Sequence, residues 1–328
     1  MTGIENKKTL QQEAEFWDRQ EEVIQQLYDR PHDWRFVPAL ANRIVRAREK
    51  RMRRLLMERR QEVSRVLDIG CGSGWFVHAC AELGIEAIGV DVSEKKIETA
   101  RKQARERGVS DRCTFEVADV MEFDIERHGG KVDMLFAQSS LHHLPSLEEK
   151  LPVLVERLLR PHGYMLFLEP HYEGMAPGLQ KFIWRCANSK LFGALFDHEF
   201  FAEVTGNQKK EQEPAGDSPT DYNLRSESPA GLEFFGEEPE MGKILRDMGD
   251  YQLLEERFFH AFAGHLTNAF YIFMKSRTVK VLFRMVFPLI VGMDNFLCRY
   301  PRFHKHAEEG MWFLKAPGDG AGTGATTA

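Results

Sequence analysis

The ten residues Val66-Leu67-Asp68-Ile69-Gly70-Cys71-Gly72-Ser73-Gly74-Trp75 limit what this chain can fold into more than any other stretch. Val66 to Ile69 reads as a short buried strand. Three glycines in the next five residues force a tight turn. A helix is expected from Trp75 to Leu83, stopped by Gly84 just past its end. Glycines at such a turn let the backbone come close to a ligand, with the N–H groups of the helix N-terminus beside it. The unit is a strand–turn–helix suited to a nucleotide-like group.

The spacing is G-x-G-x-G, at Gly70, Gly72 and Gly74, and not the G-x-G-x-x-G of dinucleotide sites. The next ninety residues add to it. Ala87–Asp91 reads as a second strand, ending in an acid 23 residues beyond Asp68. A carboxylate there can take both hydroxyls of a ribose. Phe115–Asp119 is a third strand, again acid-terminated. Val132–Gln138 is a fourth, followed by Leu141-His142-His143-Leu144, and Gly163–Glu169 is a fifth. Between them, Ser93 caps a helix that runs to Arg107 and ends at Gly108. Ser146-Leu147-Glu148-Glu149 reads as a capping box opening another, with Pro152 in its first turn. Five strands alternating with helices predict a parallel sheet covered on both faces.

In the order and spacing of these motifs, residues 63–172, about a third of the chain, resemble the class I S-adenosylmethionine-dependent methyltransferases. The resemblance implies an α/β, Rossmann-like sheet of seven mostly parallel strands, with S-adenosyl-L-methionine as cofactor. It implies that Gly70, Gly72 and Gly74 line the methionine side of the cofactor, with Asp68 in the same binding set. Asp91 would bind the ribose hydroxyls, Asp119 the adenine amine, and Gln138 would lie near the sulfonium. The His-His-Leu run and the Arg-Pro-His-Gly turn at 160–163 are similar to the subset acting on small molecules, including quinone and sterol methyltransferases.

The rest of the chain is divided around that core, which spans 61–172. Residues 1–60 are expected to form an N-terminal helical cap, broken near Arg30-Pro31-His32-Asp33. Its stretch Arg43 to Arg60 holds nine basic residues against two acids, which fits either a solvated face or contact with anionic lipid or a phosphorylated substrate. Residues 173–239 read as an aromatic segment on the acceptor side followed by a mobile lid over 205–239. A short helix and strand six follow within 240–259, and 307–316 holds the last strand. Residues 317–328 form a Gly/Thr/Ala tail expected to be disordered.

Residues 260–306 are an apolar and basic insertion with helical periodicity from Val279 to Leu297 and a narrow polar stripe of Lys280, Arg284 and Asp294. Three charges and Pro288 argue against a membrane span. An interfacial helix with Lys275, Arg277, Lys280 and Arg284 on an anionic membrane is one reading. A core helix, or a subunit contact through 279–297, is the other.

The net charge of −6 disfavours nucleic acid as a partner, and the Asp/Asn-Pro-Pro-aromatic motif of amino-methylating enzymes is absent after strand four. Five cysteines without a C-x-x-C pair, and no apolar run in residues 1–15, are expected of a protein in a reducing, cytoplasmic setting, or peripheral on the inner face of a membrane. No metal site is expected. Methyl transfer from a sulfonium needs mainly alignment, and a base only where the acceptor must lose a proton. His142 and Glu169 are the preferred bases, ahead of His143, His171 and His198, because strand C-terminal ends line the crevice of open α/β sheets. His260, His265, His304 and His306 read as structural or surface groups, and Asp124 and Asp133 as turn residues. The expected acceptor is a small or lipid-like molecule. A protein or nucleic-acid methyltransferase and a nicotinamide-dependent oxidoreductase are the competing readings.

Overall fold

The structure is a computed structural model that describes residues 11–19, 21–22, 38–171, 177–187, 189–197, 241–267 and 274–318. The lid expected over 205–239, His198 and the tail beyond 318 lie outside the described residues. The strands are β1 (Arg65–Ile69), β2 (Glu86–Asp91), β3 (Cys113–Val117), β4 (Val132–Gln138), β5 (Leu159–Pro170), β6 (Gln252–Phe259) and β7 (Glu309–Lys315). The longer helices are α1 (Pro38–Glu58), α2 (Trp75–Glu82), α3 (Glu94–Arg107), α4 (Leu147–Leu158), α5 (Pro177–Ala187), α6 (Met241–Asp247) and α7 (Arg277–Leu297).

The strands form one sheet in the order β3-β2-β1-β4-β5-β7-β6. β1 to β5 pair in parallel, and β7 inserts antiparallel between β5 and β6. The strand order reverses at β1 and β4, and such a switch point opens a crevice outside the carboxyl ends of the strands. Successive strand residues point to opposite faces. Val66, Ala87, Met134 and Phe136 pack under α1, α2 and α3, through residues such as Leu56, Phe76 and Ile97. Leu67, Ile88, Leu135 and Ala137 pack on the other face under α4 and α6, through Leu151, Leu154 and Ile244. Both faces are therefore buried, which is why these strands read as apolar runs.

Three local expectations are corrected. Ser146 does not cap α4: its φ of +56° puts it in the left-handed region, and its side chain makes no capping hydrogen bond. Pro152 lies inside α4, in its second turn. The 160–163 turn belongs to β5 and bulges from it, since Val132 pairs with Leu159 and Met134 with Tyr164. By contrast, the Ser93 Oγ accepts from the Lys96 N–H at 3.2 Å, and Gly108 closes α3 at φ +68°.

Three arginines of the basic helix α1 are drawn into ion pairs, while Lys50, Arg54 and Arg60 are exposed. Arg48 pairs with Glu309 of β7, Arg51 with Glu255 of β6, and Arg53 with Glu82 of α2. The hydrogen bond to Glu255 raises the Arg51 pKa further. α7 departs from an ordinary surface helix in burying two charged residues beside Phe283 and Phe287 while exposing large apolar ones. Lys280 and Asp294 of its polar stripe are buried at 3% and 1% exposure, while Met285 and Leu289 are exposed at 72% and 75%. Lys280 therefore cannot meet a membrane surface as expected. None of the described helices is long and apolar enough to cross a membrane.

Candidate functional site

A cavity of about 410 Å³ opens at the carboxyl ends of β1, β2 and β4. Asp68, Gly70, Gly72, Asp91, Asp119 and Gln138 all line it. The expected site residues, spread over 71 positions of sequence, thus come together at the switch point of the sheet. Gly74 does not join them. At φ +78° it starts α2, and a Cβ there would stand 2.8 Å from the Phe115 ring, so this glycine serves helix–strand packing.

The turn after β1 is shaped around Asp91. One carboxylate oxygen accepts the Gly72 N–H at 2.8 Å, and the other accepts the Ser93 N–H at 2.9 Å. Each oxygen keeps further acceptor capacity toward the cavity. Asp68 stands deeper, at 2% exposure. Burial, and behind it the nearby Asp91 carboxylate, push the Asp68 carboxyl well above the ordinary aspartate range. The Cys71 thiol is likewise pushed up by burial, then by Asp68 and Asp91.

The turn after β4 forms the opposite wall. Ser139 adopts φ +51° and lines the cavity. Ser140 donates its Oγ–H to the Ile69 carbonyl at 2.6 Å, tying this turn to the end of β1. Its Cβ lies where a Cβ on Gly70 would fall, 2.3 Å away, so Gly70 must lack one. Gln138 accepts from the Trp75 indole N–H at 3.0 Å, which fixes its amide at the wall.

His142 and Glu169 are brought together, though not onto the cavity wall. The His142 Nδ1 lies 2.7 Å from Glu169, and both residues are buried, at 1% and 0% exposure. The other Glu169 oxygen accepts the N–H groups of Ser140 and Leu141, each at 3.0 Å. Glu169 therefore holds the turn after β4 in shape. The histidine on the wall is His143, with Nδ1 3.6 Å from Glu13 and its ring edge-on to Trp17. His171 packs against Phe258 at the end of β5. Asp133 clamps Ser64 and Arg160 far from the cavity, and Asp124 caps a short turn. His260 is buried, not exposed, between Asp294 and Glu309.

Sequence reasoning missed the residues supplied from 11–22. Glu13 and Trp17 line the cavity, and Trp17 carries the Lys96 ammonium 3.9 Å above its ring. Asp18 accepts from Ser93, Glu21 from Thr99 at 3.3 Å, and Glu22 pairs with Lys95. All four partners lie on α3 or its cap. Only the acidic character of 13–22 facing a basic first turn of α3 could have signalled this.

The cavity fits an elongated nucleoside with a cationic end. At Gly72, φ +51°, a Cβ would meet nothing nearer than the Lys96 side chain at 4.0 Å, so the bare backbone borders open space. Asp91 offers paired acceptors beside it, and the buried carboxyl of Asp68 would be favoured in its charged form by a nearby cation. Among the described residues no group of three His, Cys, Asp or Glu is placed to hold a metal ion.

Residues 61–217 match a family described as a methyltransferase domain. A 27-O-demethylrifamycin SV methyltransferase of Amycolatopsis mediterranei is 36% identical over 30% of this chain and 36% of its own length. A ubiquinone biosynthesis O-methyltransferase of Actinobacillus pleuropneumoniae is 32% identical over 31% of this chain and 44% of its own length. The sterol 4-C-methyltransferase strm-1 of Caenorhabditis elegans is 32% identical over 30% of this chain and 28% of its own length. The chain spans less than half the length of these curated relatives.

Proposed function

We propose that this chain, whose residues 61–217 match a family described as a methyltransferase domain, is a class I S-adenosylmethionine-dependent methyltransferase that transfers a methyl group from that cofactor to a small, hydrophobic, lipid-like acceptor at a membrane surface. The observation that carries the first half is the convergence of Asp68, Gly70, Gly72, Asp91, Asp119 and Gln138 on one cavity at the switch point of the sheet. The lipid-like acceptor draws support from the apolar face of α7 and from relatives named for a quinone and a sterol.

When bound, the cofactor supplies a methyl group on a positively charged sulfur. Asp91 would hold the ribose hydroxyls and Asp119 the adenine side. The turn 70–72 and Asp68 would hold the amino-acid end, and Gln138 would face the sulfonium. The protein's main contribution is alignment, which can lower a barrier by about 7–11 kcal/mol in well-oriented systems. Glu169 and His142 act as positioning residues, because they shape the turn after β4 from beneath. His143 is the imidazole placed to take a proton from a hydroxyl acceptor, with Glu13 beside its Nδ1 to orient the ring. Trp17, with the Lys96 ammonium over its ring, would add an apolar face to the cavity wall.

The test is calorimetry with S-adenosylmethionine, then incubation with labelled cofactor and a panel of a hydroxylated polyprenyl quinol, a sterol and a short RNA. Micromolar binding and label in the quinol or sterol are expected. Absence of cofactor binding, or label entering RNA alone, would refute the reading.

A further inference from the structure

We propose that the outward face of α7 is a docking surface for an anionic lipid bilayer, on which the helix lies in the plane of the headgroups. The proposal deepens the lipid-like acceptor reading and rests on it for its purpose, though not for its test. Leu282, Met285, Leu289, Met293 and Phe296 recur at steps of three and four, so they form one stripe along the helix. Each is at least half exposed, and Tyr300 at 43% extends the stripe past the helix end. A stripe this long on a folded protein marks a surface that something covers.

Charge identifies the occupant. Lys275, Arg277, Arg284, Arg299, Arg302 and Lys305 are all exposed, on the helix and at its two ends. The only acid between 275 and 305 is Asp294, which is buried. A second copy docked face to face through a two-fold axis would place these cations against themselves with no acid from the segment to answer them. An anionic bilayer supplies both an apolar interior for the stripe and negative charge for its rim, with the long basic side chains reaching back to the headgroups.

The inward face gives the docked helix a defined relation to the site. Asp294 accepts the Phe262 N–H at 3.2 Å, where the chain has just left β6. His260 stands 3.8 Å from Asp294 and 4.0 Å from Glu309. Glu309 pairs in register with Pro170, the residue after Glu169. α7 is thus fixed to the carboxyl end of β5, next to the turn that forms the cavity wall. A bilayer against its outer face lies beside the edge of the sheet at which an acceptor must arrive.

The experiment is co-sedimentation of the full chain with phosphatidylcholine vesicles, with and without phosphatidylserine, at low and physiological salt. Wild-type protein should bind the phosphatidylserine vesicles at least tenfold more tightly than the neutral ones, with binding weakened by salt. The double variant M285E/L289E should lose at least tenfold in vesicle affinity, and R277Q/R284Q should lose the preference for anionic lipid. Both change only exposed side chains, and calorimetry with S-adenosylmethionine on the same preparations should be unmoved. Wild-type protein that stays in the supernatant at low salt overturns the proposal, as does M285E/L289E binding like wild type. A wild-type dimer in sedimentation equilibrium that M285E/L289E dissociates, without vesicle binding, assigns the face to a second copy instead. Loss of wild-type cofactor binding would count against the methyltransferase reading and not against the docking face.

Discussion

Replacing Gly70 by alanine separates two costs that a glycine turn conceals, when it is compared with the same change at Gly84. Both residues have positive φ, +66° and +81°. A Cβ on Gly84 would meet nothing within 4 Å. Gly84→Ala therefore reports the left-handed backbone alone, about 1–2 kcal/mol. A Cβ on Gly70 would stand 2.3 Å from the Ser140 Cβ and 3.0 Å from its Oγ. Ser140 cannot simply step aside, because its N–H is held by Glu169 and its hydroxyl by the Ile69 carbonyl. Overpacking adds about 1–3 kcal/mol, and weakening the bond to the buried carboxylate adds about 1.5 kcal/mol or more. Gly70→Ala should then be destabilised by about 2.5–4.5 kcal/mol more than Gly84→Ala. Urea unfolding followed by circular dichroism reads both against wild type. Calorimetry should also show cofactor affinity reduced in Gly70→Ala and unchanged in Gly84→Ala. Equal losses in the two variants, within about 0.5 kcal/mol, would refute the packing of Ser140 against the turn and with it the tie between the two cavity walls.

Asp91→Ala should weaken S-adenosylmethionine binding by well over tenfold, since each hydrogen bond to a charged group contributes about 1.5–3 kcal/mol; an unchanged Kd in a folded variant would remove the ribose assignment. Asp133 is subject to opposing influences: burial raises its pKa, but the bonds from Ser64 and Arg65 and the Arg160 charge more than offset this, leaving it below the usual range. A depressed carboxyl stabilises the fold above its unfolded pKa of about 3.9, and that contribution is lost as pH falls through the folded value. Asp133→Asn should therefore lower the melting temperature at neutral pH by an amount worth about 1 kcal/mol, with the gap to wild type closing below about pH 4. A gap that stays constant down to acid pH would contradict this.

The parts of the fold written in local chemistry were legible in the sequence. β1, β2 and β4 are buried on both faces, so their apolar runs stand out, and α3 is bounded by a Ser93 cap and a Gly108 stop that need no tertiary context. The seven mostly parallel strands followed from the resemblance rather than from any single segment, and their order, β3-β2-β1-β4-β5-β7-β6, was not legible. Capping was misread at Ser146 because the motif Ser-x-x-Glu says nothing about φ, and Ser146 lies in the left-handed region. His142 lies in the turn after β4 and Glu169 near the end of β5, and sequence cannot tell a side chain on the cavity wall from one beneath it. The Glu13 and Trp17 contribution is a contact across roughly 80 to 130 positions, and no local pattern encodes such a pairing.

The orientation of α7 follows from the polar demands of the carboxyl edge of the sheet. Where the chain leaves β6, the Phe262 N–H is left without a strand partner, and Asp294 accepts it. Glu309, at the start of β7, is buried beside Arg48 of α1. His260 occupies the space between these two acids, held at φ +65°. Turning the helix to bury Leu289 and Met285 would carry Asp294 away from Phe262. A buried N–H left unsatisfied costs about 1–3 kcal/mol, and a buried charge stripped of its partner costs about 3–5 kcal/mol. Asp294 is thereby fixed inward, beside the buried Phe283 and Phe287, and the stripe from Leu282 to Phe296 is left outward. Covering a large apolar side chain fully is worth about 1.5–3 kcal/mol, so the half-exposed residues of α7 hold a large unused gain in a protein that stands alone in water. In the docking proposed above, that gain is realised against the apolar interior of a bilayer, with the exposed cations of the segment meeting its negative surface.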